Sequence, residues 1–152
     1  GWQCALTVPR ELSMRDGKLC QQPAHEIERM RGDCVRTTGG ETVEEPGRLF
    51  DLVVSCEGAK MVEFEIRKGV FVRYADGMLT LDMGDEGYGR DQRSIELGEL
   101  RDLRVLSDTT MVEIFANGGE AALTSRTYSS AVPAMALHAE GAASMDFYRL
   151  AH

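Results

Sequence analysis

The fold is decided by residues 103–128, LRVLSDTTMVEIFANGGEAALTSRTY, in which two apolar strands follow a third. The residues that join them, 117–119, read Asn-Gly-Gly. Asn-Gly between alternating apolar runs is a strong hairpin signal, because a type I′ turn needs positive φ at both central residues. A two-residue loop at Asn117 and Gly118 places the apolar side chains of both strands on one face. The expected pairs are Val112 with Leu123 and Ile114 with Ala121.

The remaining residues from about position 49 onward also have the pattern of successive β-strands. Residues 61–66, MVEFEI, alternate between apolar and polar, and Gly-containing turns separate the other apolar runs. This pattern predicts an all-β fold, an antiparallel two-sheet β-sandwich of the jelly-roll or concanavalin type, formed by residues 1–152 as one domain. Further strands are expected at 49–56, 70–74, 78–83, 134–138 and 145–150.

The first 30 residues contain a strand signal, a hairpin signal and one weak helix signal. Residues 3–8 read as a strand, and residues 10–14 and 18–22 as a hairpin around the turn at 15–17. Residues 23–30 predict the single short helix of the chain, because Pro23 suits a first helical position. The Gly-rich, polar residues 85–93 are expected to form the longest exposed loop.

Composition excludes several classes of function. The formal net charge is −8 and there is no basic run, which argues against nucleic-acid binding. No apolar run approaches the roughly 20 residues that span a bilayer. The four cysteines form no C-x-x-C pair and the three histidines are scattered, so no zinc site is expected. Asp85, Glu86 and Asp91 lack the ligand spacing of a calcium loop and are interpreted as a solvated loop, so no metal site is predicted. The thiols are interpreted as buried or idle groups of a reducing cytosol.

Two separated motifs resemble glycoside hydrolase family 32, which contains invertases, bacterial sucrose-6-phosphate hydrolases, levanases and inulinases. The first resembles the C-terminal signature of that family. It comprises Asp108, VEIF at 112–115, NGGE at 117–120, TSR at 124–126 and Tyr128. The second resembles the segment that connects the family's catalytic domain to its C-terminal β-sandwich. It comprises GWQ at 1–3, LTVPREL at 6–12, GKL at 17–19 and QP at 22–23.

The resemblance implies that this chain is the C-terminal β-sandwich of a β-fructofuranosidase, with residues 1–12 at the junction with a catalytic propeller. The implied full enzyme hydrolyses sucrose or another fructoside with retention and uses no metal or organic cofactor. The module would support the propeller, a homodimer or the substrate cleft, and a bacterial cytoplasm is favoured over secretion. No nucleic acid or membrane is expected as a partner.

The family's catalytic motifs are absent from this sequence. They are Asn-Asp-Pro-Asn, Arg-Asp-Pro and Glu-Cys, and they belong to the propeller. Arg90-Asp91 is followed by Gln and Arg101-Asp102 by Leu, while Cys56-Glu57 has the reverse order. Glu63 and Glu65 share a strand face and are interpreted as a solvated surface, although glycoside hydrolysis requires two carboxylates. No catalytic residue is therefore expected here.

The predicted site residues concern contacts only. Trp2, Arg10 and Glu11 lie at the implied junction and are predicted to face the propeller. One alternative is a free-standing carbohydrate-binding module, in which sugars stack on exposed aromatic rings. Its candidates are Tyr74 and Tyr88, with Trp2. A second alternative is an oligomerisation domain, which would expose a large apolar patch.

Overall fold

The computed structural model describes residues 5–38, 40–129 and 131–151. Within these ranges the chain forms strands β1 to β15 and two short 3-10 turns, His25–Met30 and Gly84–Gly87. The strands are β1 (Arg10–Arg15), β2 (Lys18–Pro23), β3 (Arg31–Thr37), β4 (Thr42–Val43), β5 (Phe50–Ser55), β6 (Met61–Arg67), β7 (Val70–Ala75), β8 (Met78–Asp82), β9 (Gln92–Glu96), β10 (Asp102–Ser107), β11 (Met111–Ala116), β12 (Ala121–Arg126), β13 (Met135–Ala136), β14 (His138–Glu140) and β15 (Ser144–Leu150).

Two antiparallel sheets form a β-sandwich, as the alternating pattern predicts. The six-stranded sheet has the order β12-β11-β10-β5-β15-β3, and the five-stranded sheet has the order β14-β6-β7-β8-β9. The pairs β1-β2 and β4-β13 form two small additional sheets. β15 lies between β3 and β5 and pairs with both. It therefore connects the edge strand β3 to the rest of the six-stranded sheet through long-range pairing.

The core lies between the two large sheets. Val62, Phe64 and Ile66 of β6 are buried, which confirms the alternation expected for residues 61–66. Residues buried in the core also alternate along β7. The rings of Phe50 and Phe147 pack at a centroid distance of 5.3 Å, an arrangement typical of aromatic pairs in cores. The fully buried core side chains include Leu52, Val54, Val62, Phe64, Ile66, Val72, Leu81, Val105 and Ile114.

The hairpin of β11 and β12 is present, but its predicted register is wrong by two residues. Ile114 lies opposite Leu123 and Val112 opposite Ser125, so the loop contains four residues, 117–120. Asn117 lies at the first loop position because its side chain has other partners: Oδ1 accepts from Arg101 N at 2.8 Å and Nδ2 donates to Glu99 O at 2.9 Å. A shift of two residues keeps the same side chains facing the core, so the predicted face is confirmed.

The first 30 residues follow the prediction in part. The predicted strand at 3–8 is wrong for its described residues, since residues 5–9 form no strand. The β1-β2 hairpin is confirmed, with positive φ of 49° at Asp16 and 74° at Gly17 in its turn. The predicted helix at 23–30 is the 3-10 turn His25–Met30. In place of the long loop at 85–93 there are a second 3-10 turn and the start of β9, an edge strand.

The β1-β2 hairpin packs on the outer side of the six-stranded sheet. Gln21 N donates to Gly119 O at 2.8 Å, which joins β2 to the loop between β11 and β12. Arg10 donates to Glu113 at 2.6 Å and to Thr124 at 2.8 Å, and its guanidinium lies over the ring of Phe115. Because Glu113 is 3% exposed, this ion pair lies inside the junction between hairpin and sheet.

Gly119 permits this close approach, and we expect its substitution to release the hairpin. A Cβ at Gly119 would lie 2.6 Å from the carbonyl carbon of Gln21, and φ is +89°. Gly119→Ala should therefore lower the free energy of unfolding by about 2 kcal/mol, from strain and overpacking together. Amide hydrogen exchange at Gln21 should also accelerate, because its acceptor moves.

Gly17→Ala is the matched control for this prediction. Gly17 has a similar positive φ of +74°, but a Cβ there meets nothing within 4 Å. Gly17→Ala should show only the strain of the left-handed backbone, about 1 kcal/mol, with unchanged exchange at Gln21. Equal effects of the two variants in urea unfolding would contradict the close-approach explanation.

Candidate functional site

The outer face of the six-stranded sheet carries charged and aromatic side chains in rows that cross the strands. One row runs from Phe115 on β11 through Arg104, Val53 and Asp146 to Arg36 on β3. The next row contains Thr124, Glu113, Leu106, Asp51, Tyr148 and Cys34. A sheet face that is exposed to solvent on all strands would not bury such charges, and here the hairpin and the 3-10 turn His25–Met30 cover part of it.

A cavity of about 370 Å³ lies between this covering layer and the sheet. We call it the hairpin cleft and define it by Glu28, Arg31, Val53, Arg104, Asp146 and Tyr148. Glu28 comes from the covering 3-10 turn, and the other five residues come from β3, β5, β10 and β15. Residues far apart in the chain thus meet at one cleft.

Asp51 lies beneath the cleft and is fully buried. Its two carboxylate oxygens accept from Arg31 Nε at 2.7 Å, from Arg104 Nε at 3.0 Å and from Arg104 Nη2 at 2.7 Å. Burial disfavours the charged form of Arg31, but the hydrogen bond and charge of Asp51, with smaller contributions from Glu28 and Tyr148, outweigh burial and raise the Arg31 pKa. The Arg31 guanidinium also stacks on the ring of Tyr148 at 4.4 Å from its centroid.

Glu28 is held less tightly than Asp51. Its Oε1 lies 3.3 Å from Arg104 Nη1 and 3.8 Å from Arg31 Nη1, and its side chain is 49% exposed. The second distance exceeds that of a hydrogen bond. The cleft therefore combines a rigid Arg-Asp-Arg cluster with a carboxylate that can change partners.

The predicted junction residues have partners inside this domain. Arg10 pairs with Glu113, whereas Glu11 pairs with His25 Nδ1 at 2.6 Å on the surface. The hydrogen bond to Glu11 raises the His25 pKa, and the same bond lowers the Glu11 pKa. Arg10 and Glu11 thus form no pair with each other that would project from the junction. Trp2 lies outside the described residues, and a contact with a propeller stays a prediction for all three.

The two tyrosines predicted to stack on sugars differ in exposure. Tyr74 is 5% exposed and its hydroxyl donates to Gly98 O at 2.6 Å, so its ring belongs to the core and offers no surface to a sugar. Tyr88 is 76% exposed and meets Tyr128 edge-on at 5.4 Å. Tyr128 belongs to the signature at 103–128, but the sequence offers no signal that pairs it with Tyr88.

Glu63 and Glu65 occupy the outer face of the five-stranded sheet, as expected of a solvated surface. Glu63 pairs with Arg73, which also binds Asp82, and Glu65 accepts from Gly69 N at 2.8 Å. These contacts hold β6, β7 and β8 together across the sheet. They give the two glutamates a structural role.

One exposed group of side chains has the spacing of metal ligands. Ligand atoms of Glu11, His25 and Glu26 lie within 4.8 Å of one another. All three residues are exposed, and the contacts of His25 Nδ1 with Glu11 at 2.6 Å and with Glu26 at 3.5 Å already account for their proximity. Cys20, Cys34 and Cys56 are free thiols, and burial raises the pKa of Cys56 to about 12, which makes it unreactive at neutral pH. No helix in the described ranges is long and apolar enough to cross a membrane.

Comparison with known proteins identifies the family. The profile described as "Glycosyl hydrolases family 32 C terminal" matches residues 57–150. The chain belongs to glycoside hydrolase family 32. It is 37% identical over 148 residues to raffinose invertase of Escherichia coli, covering 86% of this chain and 30% of that protein. It is 32% identical over 149 residues to a sucrose-6-phosphate hydrolase of Escherichia coli, covering 84% of this chain and 30% of that protein.

Two solved structures share the fold of this chain. Sucrose-6-phosphate hydrolase from Lactobacillus gasseri aligns with a TM-score of 0.80 at 20% identity, over 93% of this chain and 33% of that one. Exo-inulinase from Aspergillus awamori aligns with a TM-score of 0.77 at 19% identity, over 99% of this chain and 36% of that one. The profile match and the curated relatives confirm the family resemblance, and the structural alignments agree with the β-sandwich fold. The chain spans about 30% of the length of the curated relatives it matches.

Proposed function

We propose that this chain is the non-catalytic C-terminal module of a β-fructofuranosidase of the sucrose or sucrose-6-phosphate hydrolase type. In this proposal it packs against a catalytic propeller of the same polypeptide and stabilises it. The full enzyme would release fructose from sucrose or sucrose 6-phosphate with retention. The observation that carries the proposal is the match of this chain to 30% of the length of an invertase and of a sucrose-6-phosphate hydrolase.

The charge pattern of the described residues supports a non-catalytic role. Asp51, Glu113 and Asp146 are each bound to arginine at 2.6–2.7 Å. Such pairing lowers the pKa of Asp146, whereas the acid of a glycosidase needs a raised pKa. These carboxylates are suited to holding strands and loops together, which is the role proposed for the module.

The β1-β2 hairpin supplies a surface for the proposed contact. Met14 lies directly opposite Leu19, and Leu12 lies two residues away on the same face. All three side chains are more than half exposed, and Leu6, just before the hairpin, is 95% exposed. Burying large apolar side chains against another domain is favourable by about 1.5–3 kcal/mol each.

Two measurements test this proposal. Immunoblotting of source-cell extract with an antibody against this chain should detect a polypeptide several times its length. That polypeptide should release fructose from sucrose or sucrose 6-phosphate. A band at the length of this chain alone, or a longer protein inactive on both substrates, would contradict the proposed function.

Variants of the hairpin test the docking surface in the longer polypeptide. The combined substitutions Leu12→Ser, Met14→Ser and Leu19→Ser should lower its Tm, because three buried apolar contacts are lost. The same substitutions should leave the Tm of the 152-residue chain unchanged, since these side chains are exposed there. Met78→Ser, an exposed site on the five-stranded sheet, is the matched control. Equal Tm changes with and without the additional domain would rule out the hairpin as the docking surface.

The second candidate function is a free-standing carbohydrate-binding or oligomerisation module. The exposed pair Tyr88 and Tyr128 favours sugar binding, because aromatic faces stack on sugar rings. Tyr88 has a φ of +50°, a left-handed conformation that is unusual for tyrosine and presents the ring to solvent. If the chain binds a sugar and Tyr88→Ala abolishes that binding, the result would favour the carbohydrate-binding module.

A further inference from the structure

The hairpin cleft has the shape and chemistry of a small-molecule site. Its volume of about 370 Å³ lies within the usual range for ligand pockets, about 300–1,000 Å³. Half-buried Val53, together with buried Phe115 and Pro23, forms an apolar patch of its lining. Charged groups from the sheet and from the covering 3-10 turn surround this patch. In ligand pockets, convergent polar groups of this kind fix the orientation of the ligand.

The polar groups of the cleft include both donors and acceptors. Arg31 and Arg104 donate only, whereas Glu28, Asp102 and Asp146 accept when ionised. A hydroxyl group both donates and accepts, so a ligand with several hydroxyls can bind to an arginine and a carboxylate at once. Asp51 holds both arginines from below, which fixes their positions before any ligand arrives.

The charges around the cleft favour an uncharged sugar over a phosphorylated one. Three carboxylates and two guanidinium groups line it, the buried Asp51 carboxylate lies beneath, and Arg36 pairs with Asp146 from the side, so four carboxylates face three guanidinium groups. The lining therefore carries no excess positive charge, in a chain whose net charge is −8. A phosphate dianion would be repelled by Glu28 and Asp102, whereas an uncharged sugar would not.

We propose that the hairpin cleft binds an uncharged mono- or disaccharide through Glu28, Arg31 and Arg104, with Val53 beneath the sugar ring. The binding requires no second domain. Failure of this inference would leave the proposed function of the chain standing, because that function rests on family membership and on the longer polypeptide.

Isothermal titration of the 152-residue chain tests the inference with three probes, fructose, sucrose and sucrose 6-phosphate. Fructose or sucrose should bind with a Kd of about 1 mM, and sucrose 6-phosphate should bind at least about fivefold more weakly. Amide shift changes in ¹⁵N spectra should map to Glu28, Val53 and Arg104. Absence of heat and of shifts for all three probes at about 50 mM, or preferential binding of sucrose 6-phosphate, would overturn the inference.

Four variants locate the site. Val53→Phe fills the cleft and should weaken binding at least about tenfold. Glu28→Ala removes an exposed carboxylate without disturbing the core, so its loss of binding stays informative if Val53→Phe unfolds. Met78→Ser, an exposed site on the five-stranded sheet and outside the cleft, should leave binding unchanged. Loss of binding in Tyr88→Ala with retention in Glu28→Ala would overturn the assignment to this cleft.

Discussion

Replacing Arg67 with alanine should lower the free energy of unfolding by about 3–5 kcal/mol, a large part of the 5–15 kcal/mol typical of a domain. The Arg67 side chain is fully buried at the end of β6. It donates to Ser107 Oγ at 2.8 Å, to Thr109 O at 3.1 Å, to Ser129 O at 3.2 Å and to Asp108 O. Truncation leaves these oxygens unpaired and opens a cavity, and both changes are costly.

The charge of Arg67 is retained inside the protein. Burial lowers its pKa to about 10, with Arg48 contributing and Asp108 opposing, so the group is still protonated at neutral pH. The carbonyl oxygens around it replace the water that it loses on burial. Arg67 therefore ties the end of the five-stranded sheet to the turn between β10 and β11 in the other sheet.

Urea unfolding followed by circular dichroism measures this effect through the midpoint and the m-value. Arg67→Met restores most of the volume but no donors, so it should remain destabilised by about 2–3 kcal/mol. Arg36→Ala is the control, because the Arg36–Asp146 pair is exposed and should contribute at most about 1 kcal/mol. A loss for Arg67→Ala no larger than that for Arg36→Ala would refute the proposed tie between the sheets.

Asp51→Ala should lower the free energy of unfolding by about 3 kcal/mol. Removal of the carboxylate leaves the guanidinium groups of Arg31 and Arg104 close together, with side-chain exposures of only 17% and 16%. Breaking a buried ion cluster by removing one member is costly because the remaining charges are uncompensated. The two arginines keep some contact with water, so the expected loss of unfolding free energy lies at the lower end of the range for a broken buried ion pair, about 3–5 kcal/mol.

Two comparisons test the origin of this loss in the same urea experiment. Asp51→Asn keeps the shape and one acceptor, so it should be less destabilised than Asp51→Ala. Asp146→Asn removes a carboxylate from the same sheet face, but its partner Arg36 is 69% exposed, and the loss should stay below about 1 kcal/mol. Similar losses for Asp51→Ala and Asp146→Asn would show that burial of the cluster contributes nothing.

The local pattern of apolar and polar residues predicts much of the fold, because the residues of each strand match the buried or exposed face on which they lie. The alternation in 61–66 places Val62, Phe64 and Ile66 in the core, and the turn at Asp16 and Gly17 is set by residues that tolerate positive φ. The pattern does not predict β9, because its sequence, QRSIE, lies at the edge of a sheet and contains a single apolar residue. Edge strands pack on fewer neighbours and carry a weaker pattern.

Local pattern is insufficient wherever a residue has a partner far along the chain. Alternation would place Arg67 outside, but a bulge between Glu65 and Arg67 turns it inward beside Ile66. The sequence pattern predicts that Asn117 forms a two-residue turn with Gly118. Its side chain instead binds the backbone of Arg101 and Glu99, and the loop between β11 and β12 is longer. In both cases hydrogen bonds to another strand or loop outweigh the local preference.

The sequence by itself determined the all-β class, the core face of the main hairpin and the family, because these depend on residue types at short spacing. Only the tertiary structure brought Arg31, Asp51 and Arg104 to one cleft, from strands β3, β5 and β10. It also placed Arg10 on Glu113, 103 residues away, and buried Tyr74 while exposing Tyr88. Burial and ion pairing between distant strands depend on strand order in the sheet, and strand order is a property of the folded chain alone.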